Sequence, residues 1–208
     1  SDGFRGTEIG INNQNKYRSF FTGGSTAFGF GSTSDNTTIP GFLQEYFDNE
    51  FKDLNIEIIN AGINGADSYR EILLIKEKLI NYEPDLIISY TGVNDSGGYS
   101  REIIFDETYD EYVQNPFKFS SYPWYRTPFV ISNVITQNDI GNEIKPETLS
   151  DEQIKIYSES FRKNWSQSCD FLKEHNITSA LILQPSLITK KILSDFEKQI
   201  EPETKYRK

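Results

Sequence analysis

Phe20-Phe21-Thr22-Gly23-Gly24-Ser25-Thr26-Ala27-Phe28-Gly29-Phe30-Gly31 is the stretch on which the reading of this chain turns. With Ser19, its first residues read as a short buried strand centred on two phenylalanines. Gly23-Gly24 then lets the backbone turn sharply, and Ser25 stands at the tip of that turn. A hydroxyl exposed where a strand ends is where a parallel α/β protein places a nucleophile. The question for the remaining residues is whether they bring partners to it.

Working outward, residues 1–18 are polar and rich in Gly and Asn, and read as an extended arm leading into the first strand. After the turn, residues 32–38 form a polar loop. Thr37 or Thr38 is placed to cap a helix with Pro40 in its first turn, whose apolar face is Leu43, Phe47, Phe51 and Leu54. Residues 56–60 (Ile-Glu-Ile-Ile-Asn) read as a second strand, followed by the turn Ala61-Gly62-Ile63-Asn64-Gly65-Ala66. Asp67 or Ser68 caps a second helix carrying Ile72, Ile75, Leu79 and Ile80, and Pro84 ends that segment. Residues 86–90 are nearly all apolar, as in a strand covered on both faces, and run into Thr91-Gly92-Val93-Asn94-Asp95.

Residues 97–150 lack clear periodicity and hold a concentration of Tyr, Phe and Trp, so a lid or aromatic-rich insertion is expected there. Its aromatics either hold the loop down as a satellite core or line a substrate cleft. Ser150 and Gln153 match a capping box. The long helix that follows has Ile154, Tyr157, Phe161, Trp165, Cys169 and Leu172 on one face, which makes Cys169 a buried small hydrophobe. Residues 180–185 read as a fourth strand and 187–200 as a last helix. Strands alternating with helices imply a single α/β domain with a parallel sheet and right-handed crossovers.

Composition narrows the partners. The 208 residues suffice for one domain with a sizeable core, and the formal charge of −10 argues against a nucleic-acid partner, which demands clustered Lys and Arg. No stretch approaches the roughly 18 continuous apolar residues of a membrane span. One cysteine excludes an internal disulfide. Methionine is absent, so Ser1 is not an untreated translation start, and a leader or anchor removed ahead of it would fit an exported protein.

In a parallel sheet the ligand site lies beyond the carboxyl ends of the strands. Three strands end there in Gly24-Ser25, Asn64-Gly65 and Gly92-Val93-Asn94-Asp95, which brings a hydroxyl, a flexible backbone amide and a carboxamide to one edge. Those are the parts for acyl transfer: Ser25 as nucleophile, with its own N–H, the Gly65 N–H and the Asn94 side chain as oxyanion donors. Each part has a plainer reading, since Gly-Gly-Ser can be only a turn, Gly65 only a loop residue, and Asn94 or Asp95 the cap of a following helix. Other motifs fit worse. A P-loop needs lysine where Phe30 stands, a dinucleotide fingerprint needs glycine at Ser34, and a nucleophile elbow needs glycine at Ala27. No His/Cys cluster offers a transition-metal site.

Gly23-Gly24-Ser25-Thr26, Asn60-Ala61-Gly62-Ile63-Asn64-Gly65 and Gly92-Val93-Asn94-Asp95 resemble, in order and spacing, the first three sequence blocks of the SGNH (GDSL-like) hydrolases, and the likeness spans Gly3 to about Pro185. The resemblance implies a three-layer α/β/α sandwich with a flavodoxin-like parallel sheet. It also implies catalytic roles for Ser25 as nucleophile and for Gly65 and Asn94 in the oxyanion hole. The implied reaction is hydrolysis of a small-molecule or glycan ester, often an acetyl group on a carbohydrate, without a metal or organic cofactor. The usual Gly-Asp-Ser is Gly-Gly-Ser here. A larger departure is the fourth block, the Asp-x-x-His that supplies the general base, which is absent. The sole histidine, His175, follows the long helix at the amino end of the sheet, about 16 Å from the catalytic edge at roughly 3.3 Å per residue. It reads as a surface histidine at a helix C-terminus. The family's last strand and helix, with the base, are therefore expected to follow Lys208, which would leave this 208-residue chain nearly inactive. The competing expectation is a non-catalytic module that holds a glycan or partner on the same fold.

Overall fold

A computed structural model describes residues 3–6, 8–12, 15–95, 150–185, 192 and 194. The expected insertion at 97–150 lies outside them except for Ser150, and of the expected last helix at 187–200 only Ile192 and Ser194 are described, neither of them helical.

Strand β1 (Tyr17–Gly23) is followed by a single helical turn, α1 (Ser25–Phe28), and then by α2 (Ile39–Glu50). Strand β2 (Ile56–Asn60), helix α3 (Ser68–Glu77), strand β3 (Leu86–Thr91), helix α4 (Asp151–Glu174) and strand β4 (Thr178–Leu183) complete the described elements. The four strands pair in parallel in the order β2-β1-β3-β4, and Arg5 of the arm adds an isolated antiparallel bridge to Asn60. That is the start of a doubly wound, flavodoxin-like sheet, so the expected α/β class holds.

Register explains the core. Phe20 lies opposite Ile59 on one side and Ile87 on the other, which lays one apolar row across the central strands. On it pack Ile72, Leu73 and Ile75 of α3 with Trp165 and Leu172 of α4, all buried. Helix α2 packs against β2 and protects that free edge in an unusual way. The Gln44 side chain accepts from the Ile58 N–H at 2.6 Å and donates to the Ile56 carbonyl at 3.1 Å, as a neighbouring strand would.

The helix signals act where the sequence places them. Thr38 caps α2 by accepting from the Gly41 N–H, Asp67 caps α3 by accepting from the Arg70 N–H, and Ser150 with Gln153 closes a capping box on α4. Some expectations need correction. Helix α2 stops at Glu50, so Phe51 is only its C-cap and Leu54 falls beyond it; both are exposed. On α4, Ile154 faces solvent rather than the core, and Cys169 is half-buried rather than buried. The fourth strand runs over 178–183, two residues earlier than its apolar run suggested, because its pairing with β3 starts at Thr178 opposite Leu86. No helix among the described residues is long and apolar enough to cross a membrane.

Candidate active site

The three predicted loops meet at the carboxyl edge of the sheet. Ser25 is the first residue of α1, half-buried, directly after the extended Gly24. Gly65 lies in the turn after β2 with φ +74°, a left-handed conformation that a side chain would strain. Asn94 lies in the turn after β3.

Close contacts, not just proximity in sequence, hold these loops together. The Asn94 side chain donates from Nδ2 to the Ala66 carbonyl at 2.6 Å, which ties the third loop to the second. A β-carbon on Gly24 would collide with that same Nδ2, so the Asn94 carboxamide sits against the backbone that enters Ser25. This gives a physical account of Gly24: the space a side chain would need is occupied by Asn94. One Nδ2 hydrogen is spent on Ala66, and the other has no acceptor among the described residues. Among the described residues, no acceptor takes the Ser25 hydroxyl or the Gly65 N–H.

A polar layer beneath the loops fixes their positions. Arg70, buried on α3, donates from Nη1 to the Gly65 carbonyl at 3.0 Å and so orients the peptide that follows Gly65. Asp95 is 3% exposed and accepts from the Ser68 N–H at 3.1 Å and the Ser68 hydroxyl at 2.5 Å. Its carboxylate therefore takes the first N–H of α3, beside the Asp67 cap, and clamps the Asn94 turn onto the helix that follows Gly65. Asn164 of α4 adds a third member by donating to the Ser68 hydroxyl at 3.2 Å. Burial pushes the Asp95 pKa up to about 6; the Ser68 hydrogen bonds oppose this and the nearby Asp67 charge adds to it.

Glu71 lies deeper, 1% exposed. Its Oε2 accepts from the Thr22 hydroxyl at 3.1 Å, and Thr22 is 2.8 Å from the Ser89 hydroxyl. Burial holds the Glu71 pKa well above the ordinary carboxylate range; the Thr91 and Thr22 hydroxyls offset part of the rise, and the Asp95 and Asp67 charges add to it. Burial thus favours the protonated form of Glu71. Its Oε1 has no partner in hydrogen-bonding geometry among the described residues, and neither has the nearby Thr91 hydroxyl.

Arg70, Asp95, Ser68 and Glu71 were not singled out as a unit from the sequence. The signal that could have exposed them was the set of hydroxyls in otherwise apolar strands, Thr22, Ser89 and Thr91, which require polar partners above the sheet. His175 lies where expected, exposed at the end of α4, with Nδ1 2.8 Å from the Phe171 carbonyl. The whole of β4, six residues or about 20 Å, separates it from the carboxyl edge. No group of three or more His, Cys, Asp and Glu side chains suited to a metal ion occurs among the described residues.

No family model matches the chain, and no curated protein matches it. Solved structures do. A two-domain esterase active on acetylated mannans aligns at 27% identity with a TM-score of 0.36, over 39% of this chain and 23% of its own length. The SGNH-hydrolase family esterase AlinE4 aligns at 16% identity with a TM-score of 0.38, over 83% of this chain and 77% of its own. A GDSL-like lipase from Bacteroides thetaiotaomicron aligns at 14% identity with a TM-score of 0.35, over 91% and 77%. What the chain is similar to, then, are esterases of the SGNH-hydrolase and GDSL-like kind.

Proposed function

We propose that this chain carries the nucleophile and oxyanion hole of a serine esterase, with a carbohydrate O-acetyl ester as the substrate that its sequence blocks suggest. The observation that carries this reading is the packing of the Asn94 carboxamide against the Gly24 backbone while it bonds Ala66. A nucleophile turn, a glycine turn and a carboxamide are thereby gathered at one sheet edge. Ser25 attacks the ester carbonyl. The developing oxyanion takes the Ser25 and Gly65 N–H groups and the remaining Asn94 amide hydrogen, donors whose individual loss costs about 10²–10³ in rate in known cases. The alcohol leaves, and water or an acceptor hydroxyl releases the acyl group from Ser25.

Attack requires a base for the Ser25 proton. His175, at the opposite edge, does not supply it, so Ser25 in these 208 residues is a weak nucleophile. The test is fluorophosphonate labelling of the chain with and without added imidazole, beside Ser25→Ala. We expect slow labelling, accelerated by imidazole and abolished in Ser25→Ala. No labelling under either condition would defeat the esterase reading and favour a binding module on the same fold.

A further inference from the structure

An open groove of about 460 Å³ runs from Ser25 towards α2. Phe30, Ile39 and Phe42 supply its apolar wall, and Thr26 and Ser32 place hydroxyls between them. Neither Gly65 nor Asn94 lines it, so it lies off the oxyanion side of Ser25 and can hold only a different part of an ester.

Two features mark it as a built surface. Phe30 is 78% exposed and Phe42 58%, large apolar rings turned to solvent. The Phe30 backbone, by contrast, is fixed: its N–H donates to the Ser25 carbonyl at 2.8 Å, while Arg5 Nη1 holds the neighbouring Gly29 carbonyl at 2.7 Å. A rigid backbone thus presents an exposed ring at a set distance from the nucleophile. Thr26 is positioned as well, because its Oγ1 accepts from Gln184 Nε2 at 2.9 Å, which leaves its own O–H to donate.

The lining selects the occupant. No charged side chain faces the groove among the described residues, and the chain carries −10, so an anionic group is disfavoured. An alkyl chain would leave the Thr26 O–H facing hydrocarbon, while the Ser32 hydroxyl, which donates to the Thr37 carbonyl at 3.1 Å, keeps only an acceptor to offer. A pyranose ring matches both surfaces, since its C–H face lies on aromatic rings while its hydroxyl edge meets hydroxyls.

We propose that this groove binds the alcohol portion of the ester, and that this portion is an uncharged sugar ring stacked on Phe30 and Phe42. The assignment rests on Ser25 being the nucleophile, and the experiment separates the two claims. Partially acetylated xylotetraose is titrated calorimetrically into the 208-residue chain carrying Ser25→Ala, which prevents turnover, and into the same chain with Phe30→Ala, Phe42→Ala or both. Both rings are on the surface, so folding is not at stake; circular dichroism verifies it. We expect each single change to weaken binding roughly three- to tenfold and the double change to abolish it. No binding by the parent, or equal binding by the double variant, overturns the subsite. So does ring-dependent binding of 1-octanol without binding of the oligosaccharide. Ser25 labelling in the parent chain reports separately: labelling without sugar binding sinks the subsite alone. Ring-dependent sugar binding without labelling keeps the groove as a glycan site and removes the nucleophile.

Discussion

Arg18 at the amino edge of the sheet and Asp95 at the carboxyl edge are buried to the same degree, 2% and 3% exposed, and are accommodated in opposite ways. Arg18 donates to Glu57 at 2.7 Å and to the carbonyls of Gly10, Ile11, Asn12 and Tyr82, while its backbone N–H goes to Asp85. Lys16 adds a second cation to Glu57 at 2.8 Å. Burial alone would raise the Glu57 pKa, but these two cations outweigh it and hold the carboxyl below its ordinary value. Asp95 and Glu71 meet hydroxyls and a backbone N–H instead, and both have raised pKa values. One edge satisfies its charges with opposite charges. The other holds carboxyls next to one another beneath the loops proposed to do chemistry, a cost typical of working sites.

The largest effect should come from breaking the paired edge. Arg18→Met strands four carbonyl oxygens and leaves Glu57 with Lys16 alone, and is expected to cost about 3–5 kcal/mol in urea unfolding. Ser25→Ala, at the other edge, should change stability by no more than about 0.5 kcal/mol while removing all Ser25 labelling. Equal losses from the two substitutions would erase the distinction between the edges.

Titration separates the edges next. A carboxyl with a raised folded pKa contributes stability that is fully present below the unfolded pKa and is lost as pH rises through the folded one. For Asp95 that window runs from its ordinary 3.8 to about 6. Stability should therefore rise by about 1 kcal/mol as pH is lowered from 7 to 5, from Asp95 alone. Glu57 has the opposite sign: its contribution is present above its unfolded value of 4.5 and fades only as pH falls below that, outside this window. Asp95→Asn should flatten the slope between pH 7 and 5, as read by unfolding at three pH values; an unchanged slope would mean that Asp95 is not its source.

These two edges were not equally legible. Local signals carried most of the fold. Residues 56–60 and 86–91 announce their strands by apolar runs, and Thr38, Asp67, Ser150 and Gln153 announce their helices by caps a few residues away. The loops of the candidate site were readable because each follows a strand that could be read. The layer beneath was not, because its bonds join residues far apart in sequence, Thr22 to Glu71 and Ser68 to Asp95 and Asn164. Glu71 in isolation looks like an acid on the solvated face of a helix. Only the arrival of β1 and β3 hydroxyls at that face makes it a core residue. Arg5 is the same lesson in the arm, where a polar segment conceals a structural anchor.

Arg5 donates to the Phe28 and Gly29 carbonyls at 2.9 and 2.7 Å and to Asp35 at 2.8 Å, and its guanidinium lies over the Phe28 ring. Lysine keeps the charge and loses the fork. Arg5→Lys should cost about 1–2 kcal/mol and speed hydrogen exchange at residues 28–34, most visibly at the Phe30 N–H that bonds Ser25. Unaltered exchange there would show that the Ser25 turn holds itself.

The smallest effect tests the reading of the one histidine. His175 is exposed, stacks on Phe171 with ring centroids 4.3 Å apart, and ends α4, where a cation is favoured by the helix dipole. Its replacement by alanine removes a C-terminal interaction worth about 0.3–1 kcal/mol and nothing at the carboxyl edge. If Ser25 labelling without imidazole is the same in His175→Ala as in the parent, the base is not His175 and the two edges are chemically independent. A drop in labelling would require this histidine to reach Ser25 from the far end of β4, and the division of the sheet into a paired edge and a working edge would have to be abandoned.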